Sequence, residues 1–159
     1  MRSRPAQGFS LIELVIVVVI IGTVGAIAVP RLSRGAAGAA EASLQGNLSV
    51  LRKAIEFYQT EQGGLIPKDE NTIVAQLTTY TDIQGNTNPT KSSTYLYGPY
   101  LRAVPALPVG KNKGSTAVRD GGSPGDGSEG WHYDKDTGNI VANTKDDEVD
   151  AAGVSYNTY

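Results

Sequence analysis

The chain has 159 residues and a formal net charge of −2, room for one ordinary domain and a short extra segment, with no basic face to attract nucleic acid. The absence of cysteine excludes disulfides, thiolate nucleophiles and Cys-based metal sites, and a lone histidine, His132, excludes a multi-histidine centre. Nineteen glycines and eight prolines point to a loop-rich part, and with two Phe and one Trp an aromatic core must draw on eight Tyr.

From the amino terminus, Arg2 and Arg4 precede an apolar run, Phe9 to Val29, which as a helix would extend about 31 Å, close to one hydrocarbon core. Arg31 and Arg34 follow it, so basic residues flank both sides and the positive-inside rule gives no orientation. The run suits a plain membrane anchor, a secretory signal peptide cut after Ala26-Ile27-Ala28, or a leader cut earlier, after Gly8. Glu13 lies inside the run, where a carboxylate opposes the charge bias of a signal peptide. The helical pattern also continues beyond Ala28. Leu44, Leu48, Leu51, Ile55 and Tyr58 form one apolar stripe, with Gln45, Ser49, Arg52, Lys53, Glu56 and Gln59 opposite. The spacing predicts one helix from about Ser10 to Glu61, stopped at Gly63-Gly64. A signal peptide needs no such continuation.

Gly8-Phe9-Ser10-Leu11-Ile12-Glu13, ahead of the apolar run and Pro30, resembles the processing site of type IV prepilins and of type II secretion pseudopilins. The resemblance covers the first third of the chain and implies removal of a basic leader after Gly8 and N-methylation of the new terminus, Phe9. It further implies that Glu13 acts in assembly, its carboxylate meeting the Phe9 amine of a neighbouring copy. Two charges attract strongly where water is scarce, and either alone is costly, so the pair would set register. Gly22, Gly25 and Pro30 weaken the helix where the anchor ends, and the resemblance implies loosening there on assembly. Gly35, Gly38 and Gly46, with intervening alanines, form a small-residue surface that permits close helix approach.

Further along, a short helix is expected over about Thr72 to Thr81, capped by Asp69 or Asn71, with Ile73, Val74 and Leu77 packing on the long helix. Gln84 to Ser93 reads as polar turns. Tyr95 to Leu101, broken by Gly98-Pro99, and Val104 to Val109, spaced by prolines, suit edge strands or loops. Gly110 to Gly130 reads as a surface loop. Its formal GxGxxG, Gly125 to Gly130, lacks the preceding strand and following helix of a dinucleotide site and carries two acidic residues. Trp131 to Asp134 and Asn139 to Ala142, joined by Lys135-Asp136-Thr137-Gly138, read as a β-hairpin with Trp131 and Tyr133 on one face and His132 on the other.

No enzymatic constellation emerges. Asp134 and Asp136 fail the EF-hand spacing. The resemblance brings calcium into question, with Asp120, Asp126 or the late cluster including Asp146 and Asp147 as candidates. The expected compact aspartate–glycine loop is absent, and a solvated acidic tail is the preferred reading, with no cofactor.

The expected fold is α+β and pilin-like: a leader over 1–8, a transmembrane half-helix over 9–30, an amphipathic half over 31–62 and a head with a small antiparallel sheet over 63–159. The resemblance implies a bacterial inner-membrane, single-pass precursor with a periplasmic head, extracted into a helical filament. Its partners would be copies of itself, other pseudopilins, the prepilin peptidase, membrane lipid and an assembly platform with its ATPase, with no nucleic acid. The lack of cysteine and the Gly98-Pro99-Tyr100-Leu101 segment favour a type II secretion pseudopilin close to the major one. A type IV pilin, major or minor, and a secreted binding module cut near Ala28 stand as alternatives.

Overall fold

The computed structural model describes residues 9–68 and 70–159. Two compact units are present, Met1–Ala37 and Gly38–Tyr159. Helix α1, Leu11–Glu61, contributes to both. In the second unit its stripe is buried: Leu44, Leu48, Leu51, Ile55 and Tyr58 are each no more than 3% exposed. The opposite face, from Gln45 to Glu56, stays in water, as a 3.6-residue period requires. The helix stops where Gly63 takes φ 65° and Gly64 N–H reaches back to Gln59 O at 2.7 Å. That six-to-one bond closes a Schellman motif, which needs a left-handed residue that glycine supplies without a Cβ clash.

Helix α2, Glu70–Thr78, buries Ile73 and Leu77 in the same core. It runs earlier than the Thr72–Thr81 expected from sequence. Tyr80 and Thr81 form strand β1, which pairs antiparallel with β2, Thr87–Asn88, inside the stretch read as turns. Asn71 lies within α2 and so is not its cap, and Asp69 lies outside the described residues.

A three-stranded sheet follows, in the order β3 (Val118–Asp120), β4 (Trp131–Asp134), β5 (Asn139–Ala142). The hairpin β4–β5 is the one the sequence predicts, with Tyr133 opposite Ile140 and His132 opposite Val141. Trp131, Tyr133, Ile140 and Ala142 point into the core. Strand β3 corrects the sequence reading twice: it sits within the supposed glycine-rich loop, and it runs parallel to β4, so the sheet is mixed. Val118-Arg119-Asp120 is too short to carry a legible alternation. The segments Tyr95 to Leu101 and Val104 to Val109 form no ladder strand; Tyr97 makes an isolated bridge to Thr81.

The prolines have another use. The indole N–H of Trp131 donates to Pro105 O at 2.8 Å, and the Tyr133 hydroxyl donates to Pro67 O at 2.7 Å. Each buried aromatic thus satisfies its polar end on an irregular segment that has carbonyls free of any ladder. Asn143, fully buried, holds the crossover between β3 and β4. It donates to Asp126 O and Glu129 O at 2.8 and 2.9 Å and accepts Gly125 N–H at 2.7 Å.

Three aspartates staple the remaining loops. Asp82 accepts from Gln84 N, Asn86 N and Asn86 Nδ2 at 2.8–2.9 Å. Asp134 accepts from Thr137 Oγ1 at 2.6 Å and Asp136 N at 2.9 Å. Asp150 accepts from the Tyr159 hydroxyl and from Ala152 N and Val154 N at 2.8 Å. Burial pushes the Asp82 carboxyl up, but the bonds from Asn86 and Gln84 outweigh it and leave it below its ordinary value. The Thr137 hydroxyl lowers Asp134, and the Tyr159 hydroxyl lowers Asp150. A carboxyl depressed in the folded state makes the unfolded chain the better proton binder, so its contribution is full above the ordinary aspartate range and lost as pH falls through the folded value. The thermal midpoint of the head should therefore be level near neutrality and drop once pH falls below about 4. In Asp150→Asn part of that acid dependence should be missing from melts followed by circular dichroism.

Candidate functional site: the amino-terminal helix

Helix α1 begins at Leu11, with Ser10 immediately before it as N-cap: Leu14 N donates to Ser10 O at 3.2 Å. Glu13, three residues after the cap, turns back and accepts the Ser10 N–H through Oε2 at 3.1 Å. This is the return limb of a capping box. A carboxylate in the first turn also faces the positive end of the helix dipole. Glu13 thus has a partner within its own chain, which sequence reasoning missed although Ser-x-x-Glu before an apolar run is its signal.

From there Leu11–Ala28 is long and apolar enough to cross a membrane, with mean hydropathy 2.8 and none of it buried by the chain. Leu11 is 80% exposed and Ile21 66%, on different faces of the helix. Thr23, a polar interruption, returns its hydroxyl to Ile20 O at 2.9 Å, which removes an unsatisfied donor from an apolar surface.

Gly22, Gly25 and Pro30 all lie inside α1. A Cβ at Gly22, Gly25, Gly35, Gly38 or Gly46 would meet nothing within 4 Å. Nothing in the chain's own packing demands glycine there. Gly8, the expected cleavage position, lies outside the described residues, and Phe9 is exposed just ahead of the helix.

The calcium candidates do not converge. Asp120 is paired with Lys135 Nζ at 2.9 Å, an ammonium where a cation would have to sit. Asp126 faces Ser123 N at 3.4 Å in the crossover. Asp146 accepts from Asn157 Nδ2 at 2.8 Å, and Asp147 is exposed. Among the described residues no group of three or more His, Asp or Glu could hold a metal ion. His132, half-buried, has Nε2 3.3 Å from Gly122 O and shares a shallow cleft with Asp120, Asp134 and Asp136. No hydroxyl or thiol side chain lies among its lining residues.

The geometry defines a helix that begins with a capped carboxylate and then exposes apolar side chains on every face over a membrane's thickness. Residues 3–29, which contain this feature, match the family described as the prokaryotic N-terminal methylation motif, the signature of type IV pilins and pseudopilins. No curated protein and no solved structure matches the chain. Adding millimolar calcium, or chelating it, should leave the head's thermal midpoint where it was; a midpoint that climbs with calcium concentration would reveal a site.

Proposed function

We propose that the chain is a structural, non-catalytic subunit of a membrane-anchored helical filament, a type II secretion pseudopilus. Trimming after Gly8 and N-methylation of Phe9 by a prepilin peptidase precede assembly. The subunit waits in the inner membrane, single-pass, with its head in the periplasm, and leaves the lipid when it joins the filament. A platform and its ATPase drive that step, and other pseudopilins share the polymer.

The observation that carries this reading is the uncovered apolar half of α1, headed by Glu13 and lying within the methylation motif. Its surface requires lipid in one state and other copies in the next. The continuation of α1 to Glu61 supports retention of the anchor, because a cut at Ala28 would sever a helix whose later turns hold the head core. The unexplained glycines add support. Each costs about 1 kcal/mol against alanine in a helix, and close approach by a neighbouring copy gives them a use.

Glu13 links the two states. In the lone subunit Ser10 N–H satisfies one carboxylate oxygen, which moderates the cost of placing a charge at the membrane edge. Trimming puts an amine on Phe9. In the polymer the other oxygen of Glu13 meets the amine of an adjoining copy, and any stacking that leaves either charge unpaired is penalised.

Mass spectrometry of the mature protein should find N-methyl-Phe9 as the first residue; a terminus at Val29 would reject the filament. Glu13→Ala should still partition into membranes, while its filament yield falls by at least about tenfold, the equivalent of 1.4 kcal/mol. Filaments at wild-type yield from that variant would remove the pairing role. Type IV pilus assembly in place of secretion would show as surface fibres without any export defect in a deletion strain.

A further inference from the structure

A cleft of about 290 Å³ runs along the solvent side of α1 within the head unit, with Ser49, Arg52, Lys53 and Glu56 on its helical bank and Tyr159 on the other. Arg52 is anchored, donating through Nη2 to the main-chain oxygens of Ile140 and Tyr159. The Lys53 ammonium has no hydrogen-bond or ion-pair partner among the described residues. It is a free cation on the bank of the groove.

The complementary charge stands on a braced turn of the same unit. Glu148 N donates to Lys145 O at 3.1 Å, closing the turn. The Glu148 carboxylate accepts Lys145 N–H at 2.8 Å and Lys111 N–H. Asp146 is held by Asn157. Asp147, at the tip, is exposed and has no partner among the described residues. Between 145 and 150 four carboxylates stand against one ammonium. The chain then docks beside α1, where Ala151 N donates to Glu41 Oε1 at 3.2 Å.

The acidic turn is therefore anchored near the level of Glu41, four residues before the first lining residue of the cleft, Gln45, and Lys53 lies twelve residues beyond Glu41 on the same helix. At 1.5 Å per residue the step from Glu41 to Lys53 is about 18 Å. A parallel copy stepped by that amount brings its own Asp147 turn to the level of Lys53.

We propose that the occupant of the cleft is a second copy of this chain, whose Asp147 turn seats against Lys53. The proposal rests on the filament reading above and adds to it a contact between heads and an axial step. An exposed ion pair is worth only about 0–1 kcal/mol alone. Repeated at every subunit, and repelling like charges in any other stagger, it acts on register more than on affinity.

The chain has no cysteine, so cross-linking has no background. Full-length Ser49→Cys/Asp147→Cys, expressed in the host and oxidised while assembled, should run as a disulfide ladder on a non-reducing gel. Two chains carrying one change each should stop at the dimer when co-expressed, and neither alone should link. Filaments of the double variant visible by electron microscopy but without a ladder would overturn the head contact and leave the filament intact. Absence of filaments from the wild-type chain would overturn both. Should the cysteine variant not assemble, charge exchange decides. Lys53→Glu should lower filament yield several-fold, and Lys53→Glu/Asp147→Lys should recover it; failure to recover overturns the contact.

Discussion

Apolar surface without a covering from its own chain is the constraint on which the rest depends. Twelve large aliphatic side chains between Leu11 and Ile27 are exposed. At about 2 kcal/mol for each side chain removed from water, the deficit is on the order of 20 kcal/mol. That exceeds the net stability of an ordinary domain, about 5–15 kcal/mol. Water is therefore not the resting environment of this segment. An apolar environment must supply what the chain does not, and the proposed filament subunit would find it in lipid first and among copies of itself after assembly.

Within that surface a single carboxylate acquires more influence than its number implies. Glu13 is satisfied at the helix start by Ser10 N–H, so the monomer can hold it near an apolar phase at reduced cost. Local satisfaction is partial, since a carboxylate accepts several hydrogen bonds. In the proposed filament the remaining capacity would take the positive end brought by a neighbour. Hydrophobic packing between such helices has little directional preference, and charge provides the direction.

The head meets a different difficulty, which is to hold a loop-rich segment without disulfides. Its solution is polar. Asp82, Asp134 and Asp150 each gather donors from their own turns. Asn143 sews the crossover to the sheet, and Pro67 and Pro105 offer carbonyls to Tyr133 and Trp131. Each such bond is worth about 1 kcal/mol net, and leaving a buried partner unmade costs more. The side chains that the sequence presents as a solvated acidic surface are therefore partly structural.

Much of this was legible in the residues alone. The long helix with its buried stripe, the glycine stop, the β4–β5 hairpin with Trp131 inward and the processing motif all follow from patterns a few residues wide. Helical and strand periods, turn chemistry and capping are local, so the chain writes them in order. The parallel pairing of β3 with β4, the β1–β2 pair, the proline carbonyls facing buried aromatics and the bond from Tyr159 to Asp150 beside the Arg52 cleft were decided only by tertiary structure. These depend on partners separated in sequence, and neither partner need carry a pattern of its own for the two to meet.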